Sequence, residues 1–183
     1  AFYIKNGGNF TNNGTIDYSK KAATAVVVDF GQATNNGLIK MDAANGDKQN
    51  SIGLFGTSSS ILTNSSTGEI QLGTKGVGIW GANKIDSSLA SWSKNINIVN
   101  AGKITGLAGK EGIFGIYANN SEAGAISTIT HSGTIDLSQV AKSIGILMTK
   151  GTLTSSGNVS VQDGSVGISA KDSNVTINGG THT

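Results

Sequence analysis

Apolar and polar residues alternate in short segments along most of this chain. Alternation with a period of two is typical of β-strands that bury one face. No long segment keeps a helical period. The run Ala22–Val28 comes closest, and its β-branched valines favour a strand. The pattern therefore predicts an all-β chain.

One short motif returns along the whole sequence: a polar residue, a glycine, any residue, and then isoleucine or valine. Its glycines are Gly14, Gly37, Gly68, Gly102, Gly133, Gly157 and, in a degenerate last copy, Gly180. They are separated by 23, 31, 34, 31, 24 and 23 residues. The short steps define a unit of about 23 residues, and the longer steps indicate insertions of roughly ten residues.

Two further strand segments lie between successive copies of this motif. The first of these segments, which we call the second string, has a glycine before an aliphatic residue. Its copies are Ile52–Phe55, Val77–Trp80, Phe114–Tyr117, Ile144–Leu147 and Val166–Ser169, with Val26–Asp29 as the equivalent in the first unit. A weaker third segment includes Ile61–Thr63, Ile96–Ile98, Thr128–Thr130, Thr152–Thr154 and Asn174–Ile177. Each unit thus contains three short strands and three turns.

A single unit of this length cannot bury its own apolar face, whereas stacked units pair each strand with its equivalents. The sequence therefore predicts a three-sided parallel β-helix of about six or seven coils. We expect it to be right-handed, because connections between parallel strands are right-handed in nearly all proteins. The predicted inward columns are Ile16, Ile39, Ile70, Ile104, Ile135, Val159 and Leu54, Ile79, Ile116, Ile146, Ile168.

Polar residues two positions before each motif glycine form a predicted column at one turn. It comprises Asn12, Asn35, Ser66, Asn100, His131, Ser155 and Asn178. Asparagine tolerates turn conformations, and stacked amides bond to one another from coil to coil.

The composition of the chain argues against several kinds of functional site. The chain has no cysteine, which excludes disulfides and zinc–thiolate sites. Its 13 basic residues are scattered lysines, and the net charge is only +2. Nucleic-acid binding needs a clustered basic patch, so we expect none. The two histidines, His131 and His182, lie about two coils apart, and we expect no metal and no cofactor.

The recurring strings resemble passenger regions of Gram-negative autotransporters, the type V secreted adhesins. They are SGTID at Ser132–Asp136 and GIYA at Gly115–Ala118, with looser copies over nearly the whole chain. The resemblance implies an extracellular β-helix, exported by a signal sequence and a C-terminal outer-membrane β-barrel outside this sequence. It implies adhesion to host or neighbouring cells and a role in virulence, and it assigns no functional residue.

One outward column is the strongest candidate for a binding site. It contains Asp29, Phe55, Trp80, Tyr117, Leu147 and Ser169, so four consecutive coils offer large apolar or aromatic side chains. Such a strip could stack on sugars or anchor a protein partner. The alternative is that insertion loops fold over the strip and bury it.

Insertions are predicted near Met41–Asn50, Gly81–Asn95 and Ala118–Ala125. The longest carries Trp92, a further candidate for partner binding, and leaves the strand next to Trp80. Solenoids often place functional residues on loops of one face.

Catalysis is not expected, because sugar-cleaving β-helices need clustered carboxylates or a basic residue beside acidic metal ligands. The outward column after the strand isoleucine reads Asp17, Lys40, Gln71, Thr105, Asp136 and Ser160, with no adjacent acids. Three functions stay open at this point: an adhesin that binds a cell-surface protein or glycan, a stalk without a binding site, and a polysaccharide lyase or hydrolase.

Residues 1–183 are predicted to be one β-helix segment of a longer passenger, because neither end of the sequence has an amphipathic capping helix. Uncapped coils present unpaired strand edges, and we therefore expect end-to-end self-association.

Overall fold

The computed structural model of the chain consists of parallel strands. It describes residues 1–20, 22–42, 51–57, 59–82, 95–119 and 124–183. These residues form sixteen strands and no helix. The strands are β1 (Phe2–Asn12), β2 (Thr15–Asp17), β3 (Thr24–Asn35), β4 (Leu38–Met41), β5 (Ile52–Gly56), β6 (Ser60–Asn64), β7 (Glu69–Leu72), β8 (Val77–Ala82), β9 (Ile96–Asn100), β10 (Lys103–Gly106), β11 (Phe114–Asn119), β12 (Ser127–His131), β13 (Thr134–Leu137), β14 (Ile144–Ser155), β15 (Asn158–Val161) and β16 (Val166–Ile177).

Each strand pairs in parallel with the strand one repeat before or after it. Six strands carrying the glycine–isoleucine motif form one sheet in the order β2-β4-β7-β10-β13-β15. The other strands form a second sheet, in which the long strand β3 pairs with both β5 and β6, and β14 with both β11 and β12. This arrangement is a parallel β-solenoid. The prediction of an all-β chain of stacked parallel strands is confirmed.

The alternation in each strand places its apolar residues inside. In β7, for example, Ile70 and Leu72 are buried while Glu69 and Gln71 are partly exposed. The predicted isoleucine column of the six-stranded sheet is in register and fully or nearly fully buried from Ile16 to Val159. The second column is buried from Leu54 to Ile146, whereas Ile168 on the last strand is only half-buried.

The glycine of the second string allows the two sheets to pack closely. A Cβ atom at Gly115 would lie 2.5 Å from the carbonyl oxygen of Gly145 and 2.8 Å from Cγ2 of Ile135. Gly53, Gly78 and Gly145 meet equivalent carbonyl and side-chain atoms. The glycines therefore form a column because a larger residue would collide with the next strand and with the isoleucine column.

A buried ladder of polar side chains runs along one turn. Asn12 donates to Asn35 (2.8 Å), Asn35 to Asn64 (2.9 Å) and Asn64 to Asn100 (2.9 Å), in each case from Nδ2 to Oδ1. The same amide nitrogens also donate to the carbonyl oxygens of Leu38, Glu69 and Lys103 on the next repeat. Each rung thus satisfies a buried amide that would otherwise destabilise the fold.

Two members of this column were predicted incorrectly. The ladder contains Asn64 rather than Ser66, because the turn from Asn64 to Gly68 is two residues longer than the turn from Asn35 to Gly37. Ile177 rather than Asn178 lies in register with Ser155 for the same reason, since the last turn is one residue longer than the turn before it. A ladder residue located by its distance from the motif glycine is therefore wrong wherever the turn before that glycine differs in length.

His131 ends the ladder in the place of a fifth asparagine. Its Nδ1 lies 3.1 Å from Nδ2 of Asn100, and its Nε2 lies 3.1 Å from the carbonyl oxygen of Asn158. A carbonyl oxygen only accepts, so Nε2 carries the hydrogen and Nδ1 accepts from Asn100. Burial lowers the pKa of His131, and the nearby His182 lowers that pKa further. Neutral histidine therefore makes two of the three contacts that Asn64 makes: it accepts from the preceding ladder asparagine and donates to a backbone carbonyl of the next repeat.

We predict that His131 makes the solenoid less stable in acid. The unfolded chain takes up a proton below pH about 6.5, whereas the folded chain resists it, so stability is complete above that pH and falls as the pH decreases. The loss is at most about 1.4 kcal/mol per pH unit. Urea unfolding at several pH values between neutral and mildly acidic would measure it.

The control is His131→Asn, whose amide can make both bonds. At neutral pH this variant is expected to match the parent, and in acid it is expected to be the more stable of the two. Because all other titrating groups are shared, the difference between the two proteins isolates His131. Equal pH dependence would contradict the prediction.

Candidate functional site

The outward aromatic column predicted from sequence exists, but one of its predicted residues is replaced by another. Strand pairing places Phe55, Trp80, Tyr117, Leu147 and Ser169 on successive rungs. Phe55 pairs on its other side with Val27, which makes the prediction of Asp29 wrong. We call Val27, Phe55, Trp80, Tyr117 and Leu147 the outer strip.

The error has an identifiable cause in the first repeat. Val26 pairs with Leu54, so Ala25 occupies the place of the motif glycine Gly53. Without a glycine to mark the register, the three consecutive valines fit two registers equally well. Asp29 instead pairs with Lys5. The pairing also adds Tyr3, opposite Val27, to the column.

The aromatic rings of the outer strip contact one another. The Phe55 and Trp80 ring centroids are 5.2 Å apart with planes at 66°, an edge-to-face arrangement. Trp80 and Tyr117 stack with centroids 5.5 Å apart and planes only 18° from parallel. Phe114 stacks on Tyr117 at 5.7 Å. These separations are typical of favourable aromatic pairs, so the rings stabilise one another as well as the coils beneath them.

All five side chains of the outer strip are partly buried rather than fully buried. Nε1 of Trp80 is buried, and no described residue accepts a hydrogen bond from it, so the polar atom of this side chain does not reach solvent. The strip itself carries no charge. The neighbouring outward column reads Lys5, Asp29, Thr57, Ala82, Asn119, Thr149 and Lys171, so its charges lie at the ends.

Two of the predicted insertions leave the solenoid next to the outer strip. Segment 83–94 follows β8, which carries Trp80, and segment 120–123 follows β11, which carries Tyr117. In β3 and β14 a single residue with positive φ turns this corner, Phe30 (58°) and Lys150 (55°) respectively. Trp92 lies outside the described residues. The loops that were predicted to cover the strip, and the predicted insertion at 43–50, also lie outside them.

The charged column does not bring carboxylates together. Asp17 lies beside Lys40 at 3.9 Å, and the register continues through Gln71 and Thr105 before the next acid, Asp136. Within the described part of the chain, no group of three His, Asp or Glu side chains could hold a metal ion. Among these residues the column therefore offers neither a pair of acids nor a metal centre.

Both ends of the described solenoid present apolar side chains. Phe2 and Tyr3 on β1 are 45% and 58% exposed, and Val166, Val175 and Ile177 on β16 are 42–47% exposed. These residues belong to strands that pair on one side only. They provide the surfaces that the predicted end-to-end association would use.

Comparison of the chain with protein-family models, with curated proteins and with solved structures finds no match. None of the described residues belongs to a helix long and apolar enough to cross a membrane. The site therefore has to be interpreted from its own geometry.

Proposed function

We propose that this chain is a passenger segment of a Gram-negative autotransporter adhesin, exposed at the bacterial surface and binding receptors on host or neighbouring cells. The observation that carries the proposal is the outer strip, an uncharged set of partly exposed apolar side chains on five consecutive rungs. Exposed apolar patches of this kind often mark interaction sites. The SGTID-like and GIYA-like strings support the assignment to this class.

The proposal includes a three-sided, right-handed solenoid. Each repeat supplies three strand segments, as in Phe114–Asn119, Ser127–His131 and Thr134–Leu137. Parallel connections of this kind are right-handed in nearly all proteins. An elongated, rigid scaffold of this kind would hold the outer strip and the neighbouring corner away from the cell surface.

A stalk without a binding site is the second candidate, favoured by the continuous asparagine ladder. Such a ladder stiffens a column without creating a surface for a ligand. The separated acids of the charged column give no comparable support to a lyase or hydrolase, and we propose that the segment is not catalytic.

The test is binding of the fluorescently labelled, purified chain to cultured mammalian epithelial cells. Trp80→Ala/Tyr117→Ala is expected to reduce binding at least about 30-fold, since central aromatic residues dominate interface energies. The matched control is Asn97→Ala/Thr128→Ala, which alters two paired outward positions on β9 and β12. It is expected to bind like the parent.

Circular dichroism would establish that both variants keep the parent's β content. Binding by the parent that only the aromatic variant loses supports adhesion through the outer strip. A parent chain that binds neither these cells nor bacterial cells would overturn adhesion by this segment and favour the stalk.

A further inference from the structure

We infer that the outer strip binds an apolar surface of another protein and not a glycan. This inference rests on the proposed adhesive function and narrows it to one class of receptor. It follows from the direction in which the central aromatic rings present their faces and from the uncharged, largely apolar side chains of the strip itself.

Sugar recognition by aromatic residues depends on a free ring face, on which the C–H groups of a pyranose pack flat. At the centre of the outer strip, the faces of Trp80 and Tyr117 are turned toward each other. Trp80 has Phe55 on the preceding rung at 5.2 Å and Tyr117 on the following rung at 5.5 Å, almost parallel to it. Tyr117 also has the ring of Phe114 against it at 5.7 Å. One face of Trp80 and one face of Tyr117 are therefore occupied by each other, and Phe114 stacks on Tyr117 as well, so these faces are not open to a sugar.

Sugar hydroxyls also require hydrogen-bonding side chains around the ring. Beside the central rungs the neighbouring outward column supplies Thr57, Ala82, Asn119 and Thr149, with no carboxylate and no cation. The Thr57 hydroxyl already donates to Asp29 at 2.8 Å. The indole nitrogen of Trp80 is buried and cannot reach a ligand. Among the described residues beside the central rungs, the polar groups left to orient a glycan are the side chains of Asn119 and Thr149 and the hydroxyl of Tyr117.

The same features suit a protein partner. From Val27 to Leu147 the strip spans four intervals of about 4.8 Å, or roughly 19 Å. Aromatic and aliphatic side chains lie at its centre, and the neutral side chains of Thr57, Asn119 and Thr149 flank its central rungs. Protein interfaces have this anatomy, with an apolar, charge-depleted core inside a polar rim. The binding partner is therefore a protein whose own contact surface is apolar and uncharged.

The experiment uses the same labelled chain on two sets of epithelial cells. Periodate oxidises the diols of surface glycans on one set, and trypsin removes surface proteins from the other. We expect binding to survive periodate and to be lost after trypsin. Because the side chains of the strip carry no charge, affinity is expected to change less than about threefold between 50 and 500 mM NaCl.

Trp80→Leu provides a second test that does not depend on the alanine variant folding. A leucine keeps an apolar side chain at this rung, so binding to a protein surface should fall by no more than about tenfold. Loss of binding after periodate, with binding kept after trypsin, would overturn the inference but leave adhesion standing. Unchanged binding by Trp80→Ala/Tyr117→Ala would also overturn it, and would move the receptor site elsewhere on the chain. If the untreated parent binds no cells, the adhesive function itself fails.

Discussion

Ile104→Ala is expected to lower the free energy of unfolding by about 2–5 kcal/mol, the range for truncating a fully buried isoleucine. Ile104 has no exposed surface and lies in register between Ile70 and Ile135. Its side chain also packs against the Gly78 backbone, since a Cβ atom built there would lie 3.0 Å from Cγ2 of Ile104. Backbone cannot relax into the cavity, so the loss should fall in the upper part of this range.

Urea unfolding followed by far-ultraviolet circular dichroism would measure this change. The control is Lys103→Ala, which removes an exposed side chain from the neighbouring position of β10 and should change stability by less than about 0.5 kcal/mol. If both variants lost the same stability, the isoleucine column would not be the core that the register indicates.

Asn64→Leu is expected to destabilise the protein by a similar amount, although leucine is the more hydrophobic residue. The substitution removes the acceptor for Asn35 Nδ2 and the donor to Asn100 Oδ1. Both partners are fully buried. Each unsatisfied buried group costs about 1–3 kcal/mol, so we expect a total of about 2–6 kcal/mol.

Thr63→Val is the matched control for this position. Thr63 lies next to Asn64 on β6 but points outward, and it pairs with Val99 on the following rung. A valine there should change the midpoint of urea unfolding very little. If Asn64→Leu were as stable as the parent, the ladder would contribute no net stability and the fold would depend on apolar packing alone.

Most of the fold was predictable because strand periodicity and repeat spacing agree. The Ile104 column was found from sequence, since each strand isoleucine follows its motif glycine at a constant distance and lies between two outward residues. Any register other than one whole repeat would place these isoleucines beside polar residues. The inward columns were therefore determined wherever a glycine marked the start of the strand.

The outer strip was predicted only in part. Phe55, Trp80, Tyr117 and Leu147 were identified because each follows a buried aliphatic residue of the second string. The first rung was missed, since Ala25 replaces the glycine and the valine run allows two registers. The ladder was misassigned at Asn64 for a related reason: the length of a turn is not encoded by the alternation of the strands on either side of it.

The sequence by itself determined that this protein is an all-β stack of parallel strands. It also determined which aliphatic side chains face the interior wherever a glycine marks the strand, because a period of two and a repeated glycine then leave a single way to bury the apolar residues. Only the tertiary structure decided which residues meet across the rungs. The turn after Asn64 is longer than its equivalent, and Ala25 replaces the glycine before Val26, so the partners of Asn64, Val27 and Tyr3 became known only from the backbone pairing. The orientation of the rings also depends on packing between neighbouring coils, which no single repeat contains. That orientation turns the faces of Trp80 and Tyr117 toward each other and decides what the outer strip can bind.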